Sequence, residues 1–389
     1  MVIIKGVSGK AINDSRGEKT ISITIETNVG KFEGSAPTGK SKGKHEVESY
    51  KKGIDGAIKK MEDFSDYFSE EIIEKFDDLK RIEDILEGHV GANTLFAFES
   101  AVLKALASEQ KKEIWEIINP HAKTNKKFPR LVGNCVGGGK HSETKEKKPD
   151  FQEFELIPDK KTVRENYEAN KKAKEIIGEM LKEKDKKFSD KKNDENAWVT
   201  SLNEKEILDI MSKTGIPLGL DVASSGFYKR KKYYYENPLL KRDAEEQLSY
   251  ISNLIRNYNL FYIEDPFDEE DFESFAKLLE KHPKTLIVGD DLTVTSSKRL
   301  KKAIEKKSIN AIIVKPNQCG SLLEVKRVCE MAKENKIKTV FSHRSGETEE
   351  TILADLAFGF GADFFKSGTE GDVREKKILR LIEIEENLK

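Results

Sequence analysis

The chain has 389 residues, with 69 lysines and arginines against 70 aspartates and glutamates and a formal net charge of -1. Its charged fraction of 36% nearly equals its apolar fraction of 37%, so a core is affordable, but a uniform basic field that would draw nucleic acid is excluded. No stretch approaches the roughly 20 apolar residues that span a bilayer, and residues 1–10 lack the apolar centre of a secretory signal. Three scattered cysteines, Cys135, Cys319 and Cys329, make neither a disulfide framework nor a zinc knuckle. The expected home is a reducing cytoplasm, with neither nucleic acid nor membrane as partner.

In chain order, the first 125 residues read as a small α+β unit. Thr20-Ile21-Ser22-Ile23-Thr24-Ile25 alternates with period two and predicts a half-buried strand. Residues 37–46 are too rich in glycine and lysine for a regular element. Between Asn93 and Ala107 the apolar residues Leu95, Phe98, Val102 and Leu106 fall at helical spacing, with Asn93 placed to cap. From about residue 130, short apolar runs recur, each ending on a polar residue and followed by a helical stretch. The run ends are Asp221, Glu264, Asp290, Lys315, His343 and Lys366, the last five about 25 residues apart. Such alternation predicts a parallel sheet covered by helices, and its period over roughly 250 residues predicts a (β/α) barrel. Residues 163–181 read as a helix, and the lysine-rich run at 182–187 as its solvated end.

The polar residues close their strands where barrel enzymes assemble their sites. Three carboxylates, Asp221, Glu264 and Asp290, suit a hard divalent cation, although each is also placed to cap the following helix. Lys315, between an apolar run and Pro316, is expected to be partly buried. Desolvation and neighbouring positive charge, including Lys366, are expected to lower its pKa towards that of a usable base, with a simple carboxylate pair as the alternative. The loop Ser342-His343-Arg344-Ser345-Gly346-Glu347-Thr348 offers arginine, hydroxyl and backbone N–H groups to an anion. Glu153 and Glu195 supply further carboxylates for proton transfer.

Five blocks carry a family resemblance. They are Asp14-Ser15-Arg16-Gly17, Ile263-Glu264-Asp265-Pro266-Phe267, Gly289-Asp290-Asp291-Leu292-Thr293-Val294-Thr295, Lys315-Pro316-Asn317-Gln318 and Ser342-His343-Arg344-Ser345-Gly346-Glu347-Thr348-Glu349. In this order, over essentially the whole chain, they resemble the enolase family. The resemblance implies an α/β protein: an N-terminal α+β domain (1–125) followed by a modified (β/α)8 TIM-type barrel (126–389). It implies a hydro-lyase that interconverts 2-phosphoglycerate and phosphoenolpyruvate in glycolysis, with two Mg²⁺ per site, the second arriving with substrate. Position by position, Asp221, Glu264 and Asp290 match the ligands of the first ion, and Ser41 matches a ligand of the second. Lys315 matches the base at C2, and Glu195 matches the acid at the C3 hydroxyl with Glu153 beside it. Arg344 and Ser345 match the phosphate contacts, and His141, His343 and Lys366 the remaining catalytic and substrate-contacting positions.

The sequence also departs from the family pattern. Asp-Glu-Gly-Gly becomes Asp194-Glu195-Asn196-Ala197 followed by Trp198, and losing both glycines is expected to re-aim Glu195. Asn-Gly-Gly-Ser-His becomes Gly137-Gly138-Gly139-Lys140-His141. Lys40 replaces a small residue, Gly226 a common glutamate, and Gly368-Thr369-Glu370 a Gly-Ala-Pro. A homodimer is expected, without the interface ion pair of many family members, whose places fall at Ser22 and Glu383. Two other readings stay open: a related enzyme for a different phosphorylated or carboxylated acid, and a non-catalytic homologue, against which the retained metal and proton-transfer residues speak.

Overall fold

The structure is a computed structural model that describes residues 1–68, 71–144 and 147–389. Three antiparallel strands, β1 (Val2–Asn13), β2 (Lys19–Thr27) and β3 (Gly30–Ser35), form a meander, and β4 (Ile72–Ile73) pairs with the outer edge of β1. The alternation at 20–25 lies within β2, but both of its faces are covered at the start, where Thr20, Ile21, Ser22 and Ile23 are all buried. Ser22 is tolerated inside because its hydroxyl donates to Glu33 at 2.5 Å.

The helix Ala92–Gln110 packs on this sheet with Phe98, Val102 and Leu106 buried, as the stripe predicts. Asn93 does not cap it. The cap position is Gly91, and Asn93 lies one residue inside the helix, where its side chain donates to the Pro37 carbonyl (3.1 Å) and accepts from Asn317 (3.1 Å). The amide is spent on joining the two halves of the molecule rather than on the helix end.

The second part is built on β5 (Arg130–Gly137), β6 (Glu153–Leu156), a side strand β7 (Trp198–Val199), and β8 (Leu218–Asp221). A small antiparallel sheet, β9 (Tyr228–Lys229), β10 (Lys232–Glu236) and β11 (Leu239–Arg242), interrupts the series. Then come β12 (Tyr262–Glu264), β13 (Leu286–Gly289), β14 (Ala311–Val314), β15 (Lys338–Ser342) and β16 (Phe364–Lys366). Among the described residues, β5, β6, β8 and β12 to β16 close into an eight-stranded barrel, because β16 pairs back onto β5. One strand breaks the expected parallel pattern. β6 runs antiparallel to both β5 and β8. A strand that returns through a loop, with no crossover helix, must pair in this sense.

That reversal matters for chemistry. It brings the start of β6, Glu153, to the end of the barrel where the other strands finish, opposite Asp221.

Side chains alternate across a strand, so residues two apart share the barrel interior. The interior holds an apolar layer of Val132, Ile157, Tyr262, Val288, Ile313, Val340 and Phe364. Two residues further towards the mouth stand Asn134, Glu155, Glu264, Asp290, Lys315, Ser342 and Lys366. The lower layer plugs the barrel and the upper layer carries the chemistry. The helix Val163–Lys184 is capped by Thr162, whose side chain accepts from the Glu165 N–H. The lysine-rich run beyond it is exposed except for Asp185, which Thr200 and Ser201 hold by hydrogen bonds.

Candidate active site

At the mouth, the Lys366 ammonium lies 2.8 Å from Glu264, 2.9 Å from Glu155, 3.2 Å from Glu153 and 3.5 Å from Asp221. All five groups are buried. One cation cannot neutralise four carboxylates, so protons are drawn to the site. Burial first, then the Asp221 charge, raises the Glu264 carboxyl well above the usual range. Burial likewise pushes Glu155 up to about 8 against the pull of Lys366. The Tyr262 hydroxyl donates to Glu264 from the layer beneath.

Lys315 pairs with Asp290. Here the expectation of a lowered lysine pKa fails. Burial is the largest influence and opposes the charge, but the Asp290 contact, with the Glu264 charge behind it, prevails and holds Lys315 above the ordinary lysine range. The same pair keeps Asp290 below the carboxylate range despite its burial.

The predicted triad shares one end of the barrel but not one point. Asp221 and Glu264 converge on Lys366, whereas Asp290 faces Lys315. Among the described residues, the tight all-carboxylate cluster is Asp265, Asp290 and Asp291, with oxygens within 4.8 Å of one another. Asp265 is turned into it by a left-handed backbone (φ 41°) and accepts the N–H groups of Asp290 (3.0 Å) and Asp291 (2.7 Å). Hard oxygen donors, together with a buried Glu264 Oε1 that has no hydrogen-bond partner, fit a divalent cation such as Mg²⁺. Ser41 lines the same cleft.

Across the cleft, His141 Nδ1 stands 3.3 Å from Glu153 and 3.4 Å from Glu195. Burial disfavours a charged imidazole, but Glu195 and Glu153 prevail and push His141 up to about 10. Glu195 accepts from the Asn134 amide at 3.0 Å. Burial works against its charge too, yet the charged His141, through its field and its hydrogen bond, holds Glu195 well below the usual range. Glu153 moves the other way, raised by burial and by the Glu195 charge. Within this pair, Glu153 is the carboxyl driven towards its protonated form. Burial keeps His343 neutral, and Arg374 donates to its Nδ1 at 3.1 Å. A guanidinium can only donate, so the ring proton belongs on Nε2, which faces Glu195.

Loss of the two glycines does not turn Glu195 out of the cleft. Asn196 adopts φ 63°, a left-handed conformation that asparagine tolerates better than most residues. The Asn193 side chain accepts the N–H groups of Glu195 (3.0 Å) and Ala197 (2.9 Å) and ties off the turn. Gly137 makes this possible, since a Cβ there would stand 2.1 Å from the Asn193 amide nitrogen.

The first part of the chain supplies the opposite wall. Glu46 grips Arg344 through both carboxylate oxygens (3.0 and 3.1 Å), the Arg344 guanidinium donates to the Ser41 carbonyl (3.2 Å), and Ser345 accepts the Lys40 N–H (2.7 Å). Gly39 leaves room for the Arg344 guanidinium, which a Cβ there would meet at 1.9 Å and push away from Glu46. The Lys40 ammonium reaches Asp194 (2.9 Å) and Glu143 (2.6 Å), and Lys140 is exposed beside this mouth. Reading the sequence missed Glu155, Asp265, Asp291 and the Glu46–Arg344 pair as parts of the site. The alternation Glu153-Phe154-Glu155 is the signal that two carboxylates share one strand face. For Glu46, no local signal exists.

Comparison with known proteins agrees with this architecture. Residues 4–118 match the family described as "Enolase, N-terminal domain", and residues 125–389 match "Enolase, C-terminal TIM barrel domain". A protein named Enolase from Methanosphaera stadtmanae is 38% identical, over 99% of this chain and 97% of its own length. Another of that name from Sulfurisphaera tokodaii is 37% identical, over 98% and 95%. One from Methanothermobacter thermautotrophicus is 34% identical, over 99% and 97%. With both domains matched along nearly the whole length, the chain belongs to the enolase family.

Proposed function

We propose that this chain catalyses the reversible dehydration of 2-phosphoglycerate to phosphoenolpyruvate, with Lys315 as the base at C2 and Glu195 as the acid group at the C3 hydroxyl. The observation that carries this reading is the two-sided cleft, with the half-buried Lys315 on one wall and the Glu153–His141–Glu195 cluster on the other. Removal of a proton beside a carboxylate leaves a dianionic enediolate, which a low-dielectric site must meet with fixed positive charge. Lys366 supplies one such charge from the floor of the cleft. Mg²⁺ would supply the rest of the neutralising charge, held by Asp221, Glu264 and Asp290 once their oxygens turn from Lys366 and Lys315 towards one point, with Ser41 assisting a second ion.

Arg344 and Ser345 would take the phosphate, with Arg344 already oriented by Glu46. His141, placed between Glu153 and Glu195, lets the three groups share and hand on one proton at the C3 oxygen. In the hydration direction, Lys315 as an ammonium holds the proton that C2 needs. The test is direct. The purified protein is incubated with 2-phosphoglycerate and Mg²⁺, and the conjugated enol phosphate is followed by its ultraviolet absorbance. A protein that forms no product and exchanges no C2 proton would overturn the reading.

The domain division at 125/126, a cytoplasmic home and a homodimer belong to the same proposal. Ser22 and Glu383 are engaged inside the chain, with Glu33 and Arg380 respectively, so the dimer would have to rest on other contacts. No helix among the described residues is long and apolar enough to cross a membrane. For the metal, Asp290→Asn is expected to weaken Mg²⁺ binding by at least the roughly 10–100-fold that loss of an outer-shell partner costs, since it removes a charge from the ligand set itself. Calorimetry showing unchanged affinity would remove Asp290 from the ligand set.

A further inference from the structure

Beside the Glu195 turn, three residues distant from Lys174 in sequence meet around its side chain. Asn196 and Trp198 follow the acid residue Glu195, and Glu370 lies in the loop after β16. Joining them is Lys174, on the helix Val163–Lys184, whose side chain is only 1% exposed. Its ammonium donates to the Asn196 carbonyl and pairs with Glu370 at 2.8 Å. Lys192 reaches the same Glu370 oxygen, also at 2.8 Å. The Trp198 indole N–H donates to the Lys174 carbonyl at 2.9 Å, and both ammonium groups lie against its ring, at 5.7 and 4.8 Å from the centroid. The neighbouring Thr369 hydroxyl donates to the Asn134 carbonyl at 3.4 Å, and Asn134 is the residue whose amide holds the Glu195 carboxylate.

Burying an ammonium is unfavourable, and an apolar residue would fill a helix–barrel contact without that desolvation. Lys174 spends its charge on a carbonyl one residue from Glu195 and on the loop that touches Asn134. The turn is fixed from outside by a cation, a carboxylate and an indole. We propose that Lys174 and Glu370 are positioning residues, which hold the Asn193–Ala197 turn so that Glu195 meets the C3 hydroxyl. The inference rests on the reading of Glu195 as the acid group, and it adds the device that aims it.

The two half-reactions separate this role from a purely structural one. Proton exchange at C2 depends on Lys315 across the cleft, whereas loss of the C3 hydroxyl depends on Glu195. Lys174→Met keeps the aliphatic stem and removes the charge. Glu370→Gln, at a partly exposed loop position, removes the counter-charge with little risk to folding. In both variants, deuterium exchange at C2 is followed by NMR and phosphoenolpyruvate formation by absorbance, beside thermal melting. A displacement of about 1 Å costs on the order of 100-fold in such a step. Dehydration is therefore expected to fall about 100-fold in Lys174→Met and about tenfold in Glu370→Gln, with C2 exchange within about twofold of the parent. If the two rates fall together, or neither changes, the clamp has no positioning role. If Lys174→Met fails to fold, the ratio in Glu370→Gln alone decides. A parent protein that exchanges no C2 proton and forms no product would instead overturn the functional reading, and this inference with it.

Discussion

Lys315→Ala should abolish exchange of the C2 proton with solvent while leaving the metal site able to load. A positioned general base contributes about 10²–10⁴-fold, and among the described residues the other amine lining the cleft, Lys366, is tied to four carboxylates, so a loss of about 10³-fold or more is expected. The ion pair with Asp290 sharpens the test. Removing the ammonium frees an acidic oxygen in the Asp265–Asp290–Asp291 cluster, so Mg²⁺ affinity should stay level or tighten as exchange disappears. NMR detection of deuterium at C2 and calorimetry with Mg²⁺ measure the two effects separately. Exchange within tenfold of the parent would reassign the base.

For Glu195→Gln the expected pattern is the converse. The amide has the same shape and still accepts from Asn134, but it can neither take nor give the proton of the departing hydroxyl. Phosphoenolpyruvate formation should fall about 10³-fold while C2 exchange continues. The substitution also reports on its neighbour. Glu195 is the strongest of the groups that push His141 up to about 10, so the imidazole should titrate lower in the variant, which NMR of the ring protons would detect. The linkage has a definite sign. A histidine whose pKa is raised by folding adds stability that is complete below about 6.5 and is lost as the pH rises towards 10. The Glu195→Gln variant should lose less stability across that window than the parent. An unmoved His141 titration would separate the two residues electrically.

The barrel was legible because its signal repeats. An apolar run that ends on a charge means little once, but six in series place their end residues around one mouth. What escaped the reading has a common physical origin, since it depends on contacts between residues distant in the chain. The antiparallel sense of β6 is set by the loop before it, not by the four residues of the strand. Asp265 joins the acid cluster only because its backbone turns left-handed, a choice its neighbours in sequence do not announce. The pKa of Lys315 was misjudged for a related reason. Desolvation can be anticipated from an apolar run, whereas a carboxylate in contact with the amine belongs to another strand. The expected displacement of Glu195 failed because asparagine can hold the angle that glycine leaves free, and because Lys174, more than twenty residues away, was not visible as its anchor.

The wall that Glu46 builds against Arg344 makes the mouth a seam between the first part of the chain and the barrel. Every group proposed for proton transfer belongs to the barrel, yet the guanidinium that would meet the phosphate takes its orientation from Glu46 in the first part of the chain. Substitutions along that seam should therefore weaken substrate capture and leave turnover of bound molecules largely intact. A ligand that bridges Arg344 and Ser41 would in turn draw the two parts together. Saturating substrate should then protect the stretch between the domains from proteolytic nicking, so that the closing of the seam can be read as survival of the full-length chain.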